Sequence, residues 1–153
     1  MKLLLTIIAL LISISSYSQL RNTTWGMSSE EVKKIETAKL TRDFKGDLTY
    51  QVNINDLNCE LEYLFVNNKL AEIKYTFSPI VKERTKQPQY ATWAKTVKNI
   101  SEKYGKPTST DSEKLYVWAL KDFSIKAAHQ NSKDFERVIV SYSPSSPNQK
   151  EIL

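Results

Sequence analysis

The segment 48–77, LTYQVNINDLNCELEYLFVNNKLAEIKYTF, decides the fold, because apolar and polar residues alternate along most of its length. A period of two residues is typical of a β-strand with one buried face. The alternation occurs in three runs, at 48–54, 59–65 and 71–77. Asn67 and Asn68 separate the last two runs and favour a type I′ turn, since asparagine tolerates positive φ. The segment therefore predicts an antiparallel meander of three strands.

A helix is predicted before this meander, from residue 29 to about residue 39. Ser28 is placed to cap the first turn, and Glu31 is placed to reach back to the cap, which together form a capping box. Met27 and Val32 flank the cap as a hydrophobic staple.

The second half of the chain repeats this order. Apolar residues recur at steps of three and four from Tyr90 to Tyr104, which predicts a helix. Gly105 and Pro107 follow it and favour its end there. A turn is predicted at Lys121-Asp122. The strands predicted after this helix are 114–120, 123–127 and 135–142.

The fold class predicted from this order is α+β. We expect two αβββ units, each a helix plus a three-stranded antiparallel meander, with the helices packed on antiparallel sheet. The halves span about 25–80 and 85–143 within a single domain, 19–143. Whether they form one sheet or two stays open. The Pro- and Ser-rich residues 144–153 are predicted to be a flexible tail.

Residues 1–18 are predicted to be a secretory signal peptide. Lys2 precedes an apolar stretch and small exit residues, which places cleavage between Ser18 and Gln19. The apolar run is short for a segment that must cross about 30 Å of hydrocarbon. We therefore expect a periplasmic or secreted protein. Removal of Lys2 lowers the formal net charge from +5 to +4.

The composition excludes several kinds of site. One cysteine and one histidine in 153 residues exclude a disulfide scaffold, a multi-cysteine zinc site and a histidine-cluster metal site. Cys59 and His129 are the only candidate nucleophile and base, but Cys59 lies in phase with buried strand positions. Glu60 and Glu62 lie about 7 Å apart on one strand face, and such a pair is more often solvated than part of a glycosidase. We therefore predict no catalytic residue, no cofactor and no metal; a metal bound by carboxylates alone stays open, although no spacing in the sequence favours one.

The connection between the two halves is basic. It carries Lys82, Arg84 and Lys86, which favour contact with an anionic polymer or a lipid headgroup.

Three aromatic residues complete the predicted binding surface: Trp25, Tyr116 and Trp118. One of the two aromatics on the strand is expected to be exposed if one sheet face is uncovered, where it would anchor a protein partner. Trp25 is expected to pack beneath the first helix instead.

Four motifs carry a resemblance to a known group: WGMSSEEV at 25–32, FVNNKL at 65–70, KYGKP at 103–107 and a strand bearing Trp118. The chain resembles, over about 20–143, a group of small exported bacterial proteins without an assigned activity. In outline it is similar to the small lipoprotein of the outer-membrane barrel-assembly machine and to the β-lactamase-inhibitor-protein fold. The resemblance implies helices packed on three-stranded antiparallel sheets, and a function in binding proteins without catalysis.

The predicted function is a non-catalytic protein-binding or assembly module of the bacterial cell envelope. Its expected partner is another envelope or secreted protein, and its oligomeric state stays open. The alternative is a module that binds an anionic envelope polymer or lipid headgroup in peripheral contact with the membrane or cell wall. Nucleic acid is not expected as a partner, because export removes most of the opportunity.

Overall fold

The computed structural model describes residues 21–54, 57–77, 88–131 and 136–145, without the side chains of 88–91, 131 and 136. The predicted signal peptide and most of the predicted tail lie outside these ranges. The described residues form two helices, α1 (Ser29–Ile35) and α2 (Pro88–Tyr104). The strands are β1 (Lys39–Phe44), β2 (Asp47–Ile54), β3 (Leu57–Val66), β4 (Lys69–Phe77), β5 (Ser109–Asp111), β6 (Leu115–Ala119), β7 (Phe123–Asn131) and β8 (Glu136–Pro144).

All eight strands belong to one antiparallel sheet, in the order β1-β2-β3-β4-β8-β7-β6-β5. The last strands of the two halves, β4 and β8, pair at its centre, with Ile73 opposite Tyr142 and Tyr75 opposite Val140. The prediction of two αβββ units with helices packed on the sheet is therefore wrong. The molecule is mainly a single sheet, and each helix precedes four strands in the chain.

The two strands that the prediction missed lie at the two edges of the sheet. All six residues of β1 and all three of β5 are exposed. A strand exposed on both faces has no apolar period for a sequence pattern to detect. In the turns that join these strands to their neighbours, Lys45-Gly46 and Ser112-Glu113 adopt the positive φ of tight hairpins. Of these four residues, only Gly46 is of a type that predicts such a conformation.

Helix α1 ends at Ile35, four residues before the predicted end. Its capping box is confirmed, since Ser28 and Glu31 bond to each other's backbone. Glu36 follows in extended conformation, and its carboxylate accepts a 2.8 Å hydrogen bond from the Ala38 amide. This bond turns the chain out of the helix and into β1.

The core lies on one face of the sheet in two clusters. In the first, Val32 of α1 packs with residues of β2, β3 and β4, including Leu61 and Tyr63. In the second, Trp93 of α2 packs with residues of β6, β7 and β8, including Trp118. The partly buried residues that contact both clusters are Trp25, Tyr75, Phe77 and Tyr142.

Several predicted connections are confirmed. Asn67 and Asn68 have φ of 51° and 56°, as the type I′ turn requires. Gly105, after α2, has φ of 88°.

Ser145, in the predicted tail, donates from its amide to the Asp122 carbonyl at 3.0 Å, so the chain is still bonded to the β6–β7 turn just past β8.

Candidate functional site

The predicted aromatic surface does not form. Trp118 is fully buried, and its indole N–H donates to the Gly105 carbonyl at 2.9 Å. Tyr116 lies two residues earlier on the same sheet face and is half-buried. Its ring meets the Trp93 ring edge to face, with centroids 5.4 Å apart. The expectation that one of them is exposed on an uncovered face is therefore wrong, because both belong to the face that α2 covers.

The remaining residues of the predicted surface lie elsewhere. Trp25 is partly buried and packs against both core clusters, and its indole N–H is buried without a hydrogen-bond partner among the described residues. Lys82, Arg84 and Lys86 lie outside the described residues.

Cys59 and His129 do not come together. They lie on β3 and β7, with β4 and β8 between them, so three strand spacings, about 14 Å, separate their backbones. Cys59 is buried in the first cluster as predicted, and burial raises the pKa of its thiol to about 12. His129 stacks on Trp93 with ring centroids 5.7 Å apart. The pair is too far apart for a nucleophile and its base.

The face opposite the core carries a charged ladder in its first half. Arg42, Thr49, Glu62 and Lys74 are successive partners across β1 to β4. The Glu62 carboxylate lies 2.7 Å from the Lys74 ammonium and 3.4 Å from the Arg42 guanidinium. Glu62 therefore forms ion pairs within the sheet. Glu60, two residues earlier on the same strand face, is exposed.

The second half of this face is different in character. Three residues each from β6, β7 and β8 form a three-by-three array that we call the grid. Its rows, read from the strand register, are Ala119–Ser124–Ser143, Val117–Lys126–Ser141 and Leu115–Ala128–Ile139. Eight of the nine residues are uncharged: three serines, two alanines, one valine, one leucine and one isoleucine. The ninth, Lys126, occupies the centre.

Lys126 is exposed, whereas the grid residues around it are mostly half-buried. Within the described ranges, its ammonium has no carboxylate within ion-pair distance. A single cation surrounded by small uncharged side chains can therefore accept a carboxylate from another molecule.

Sequence reasoning recognised the alternation along 115–120 but not which side of it faces solvent. The aromatic side chains of Tyr116 and Trp118 suggested an exposed anchor for a partner. The small aliphatic side chains of Val117 and Ala119 did not suggest a binding surface. The signal that was present is the concentration of small uncharged residues at alternate positions of three successive strands.

Compared with models of protein families, with curated proteins and with solved structures, the chain gives no match. The resemblance to exported bacterial proteins stays a prediction. Neither helix in the described part of the chain is long and apolar enough to cross a membrane. Over the same residues, no group of three or more His, Cys, Asp or Glu side chains is placed to hold a metal ion.

Proposed function

We propose that this protein is an exported, non-catalytic protein-binding module of the bacterial cell envelope, and that the grid is its docking surface. The observation that supports this most directly is the Lys126 ammonium, which forms no ion pair within the described residues and lies at the centre of eight uncharged side chains. The grid lies on the sheet face opposite both core clusters.

The grid has the physical properties of a binding centre. Small side chains allow a partner to approach the sheet closely, so that water is excluded around the central charge. A carboxylate that meets Lys126 there would form a charge-assisted hydrogen bond in surroundings drier than open solvent. Charge complementarity of this kind selects partners more strongly than it raises affinity.

The partner that fits this surface is another envelope or secreted protein that presents one acidic side chain within a small apolar patch. The neighbouring ladder of Arg42, Glu62 and Lys74 is internally paired. It therefore supplies a polar rim rather than a second attractive charge.

Site-specific photocrosslinking in cells tests this proposal. A photoreactive phenylalanine analogue replaces Ala119, an exposed member of the grid, and in a matched variant it replaces Asn53, which is exposed on the same sheet face in the first half. We expect a crosslinked species of one defined mass from position 119 and none from position 53. Adding Lys126→Glu should remove the species, because the substitution places a like charge against the partner's carboxylate.

Equal crosslinking from both positions, or crosslinking that survives Lys126→Glu, would overturn the grid as the docking surface. A product of twice the chain mass, sensitive to Lys126→Glu, would identify the partner as a second copy and would contradict a separate envelope protein. A cooperative thermal unfolding transition like that of the unmodified protein shows that each variant is folded.

The proposed export is tested separately. The protein recovered from the periplasm or medium should begin at Gln19, as N-terminal sequencing would show. Recovery of the full-length chain in the cytoplasm alone would contradict it.

A further inference from the structure

A cavity of about 250 Å³ lies on the core face of the sheet, between α2 and the central strands. Its sheet side is apolar and aromatic. The residues that line this side are Ile54, Leu57, Tyr75, Phe77, Val140 and Tyr142.

Four of the five residues that line the helix side of the cavity are polar: Thr92, Lys95, Thr96 and Asn99, with Ile100 as the exception. Lys95 and Asn99 lie one helical turn apart on α2, and Thr96 lies between them in the chain. Lys95 and Asn99 are exposed, so they stand at the mouth of the cavity. Within the described part of the chain, Lys95 forms no ion pair.

Two tyrosines line the cavity with unused hydrogen-bonding capacity. Tyr75 and Tyr142 contact each other edge to face, with ring centroids 6.0 Å apart. Neither hydroxyl has a hydrogen-bond partner among the described residues. Burial raises the pKa of Tyr75 to about 12, so its hydroxyl keeps its proton at neutral pH. The half-buried rings of the two tyrosines form part of the aromatic wall against which the body of a ligand can lie.

We propose that this cavity binds a small monocarboxylate with an apolar body. The carboxylate would meet Lys95 and Asn99 at the mouth, and the apolar body would lie against Phe77 and the two tyrosines. A mostly apolar pocket with a few polar groups is the usual form of a small-molecule site.

Charge and size both restrict the ligand. A single ammonium at the mouth matches one negative charge, which favours a carboxylate over a doubly charged phosphate monoester. The volume is below the roughly 300 Å³ at which sites for drug-sized molecules begin. A short acyl chain or one aromatic ring fits this space, and a polymer does not.

This inference does not rest on the proposed docking function. The cavity and the grid lie on opposite faces of the sheet, and their residues are different. Loss of one activity is expected to leave the other intact.

Calorimetric titration of the full chain with sodium octanoate tests the inference, with octan-1-ol as the uncharged comparison. We expect saturable binding of octanoate that becomes about tenfold weaker in Lys95→Gln, which corresponds to one charge-assisted hydrogen bond. Octan-1-ol should bind weakly and equally to both proteins. Lys98→Gln is the matched control, because Lys98 lies on the same helix, outside the cavity, paired with Glu102 at 3.7 Å.

A cavity-filling variant, Thr96→Trp, should abolish binding of both compounds. Octanoate binding that is unchanged in Lys95→Gln, or equally reduced in Lys98→Gln, would overturn the role of the helix cation. Binding that survives Thr96→Trp in a folded protein would overturn the cavity as the site, and so would the absence of binding to the unmodified chain.

Discussion

Arg21 and Glu36 form a two-bond ion pair, with Nε to Oε2 at 2.8 Å and Nη2 to Oε1 at 3.2 Å. Only 3% of the Glu36 side chain is exposed, and its carboxylate also accepts from the Tyr63 hydroxyl at 2.7 Å and from the Ala38 amide. One carboxylate thus joins the chain before α1, the end of α1 and the middle of β3.

Glu36→Gln should destabilise the fold by about 2 kcal/mol, since it removes the charge behind several hydrogen bonds and leaves Arg21 without its partner. Urea unfolding at neutral pH measures this loss. Glu30→Gln is the control, because the Glu30 side chain is 70% exposed and, within the described ranges, pairs only with Lys33. This substitution should cost no more than about 0.5 kcal/mol. Equal losses in the two variants would contradict a special role for Glu36.

The Glu36 contribution should depend on pH. Burial opposes ionisation of Glu36, but hydrogen bonds from Arg21, the Ala38 amide and Tyr63 outweigh it and lower its pKa below the ordinary 4.5. The folded state therefore binds the proton less readily than the unfolded state, so the stabilisation is present above pH 4.5 and is lost as the pH falls through the folded pKa. The stability difference between wild type and Glu36→Gln should narrow over that range. A difference that is constant with pH would refute this account.

Trp118 and Trp25 should respond differently to loss of their indole N–H. Trp118→Phe removes a 2.9 Å bond to Gly105 from a fully buried site and should cost about 2 to 3 kcal/mol. Trp25→Phe removes a buried donor that has no partner among the described residues, so it should cost less than about 1 kcal/mol. Thermal and urea unfolding of both variants gives the comparison, and a larger loss at Trp25 would contradict it.

The two asparagines of the β3–β4 turn should also differ. The Asn68 side chain accepts from the amide and hydroxyl of Ser29, both at 3.2 Å, and so ties the turn to the start of α1. Asn68→Gly keeps the positive φ but loses these bonds, at about 1 kcal/mol. Asn67→Gly should be neutral to within about 0.5 kcal/mol, since glycine adopts the same φ without strain. Equal effects in urea unfolding would show that Asn68 acts through its backbone alone.

The Cys59 thiol should be inert in the folded protein. Burial raises its pKa to about 12, and the residue is only 1% exposed within the first core cluster. Modification by an aromatic disulfide reagent at pH 8 should be more than about 100-fold slower in buffer than in denaturing urea, because only the thiolate reacts and only after opening. Rapid reaction of the native protein would contradict the buried placement.

Much of the local structure could be predicted from sequence because its determinants lie within a few residues of each other. The capping box of Ser28 and Glu31, the turn at Asn67-Asn68 and the end of α2 at Gly105 are all of this kind. The buried strands β2 and β3 were recognisable because one of their faces differs from the other. All six residues of β1 are exposed, so its two faces do not differ and a periodic pattern could not reveal the strand.

The candidate site could not be predicted in the same way. Alternation along β6 separates Val117 from Trp118, but both sides of the strand are apolar, so the pattern does not say which side a helix covers. That depends on where α2 packs, which is a contact between residues distant in the chain. The central position of Lys126 likewise depends on the register of β7 with both neighbours.

The sequence by itself determined the helix caps, the hairpin turns and the strands with one apolar face, since short-range sterics and periodic burial act on neighbouring residues. Tertiary structure alone decided that β4 and β8 pair, that the halves share one sheet, and that Trp118 is covered while the grid is open. Which strands pair and which sheet face a helix covers depend on the total apolar surface that distant segments bury together. A local pattern indicates that one face of an element is buried, but it does not indicate which segment covers that face.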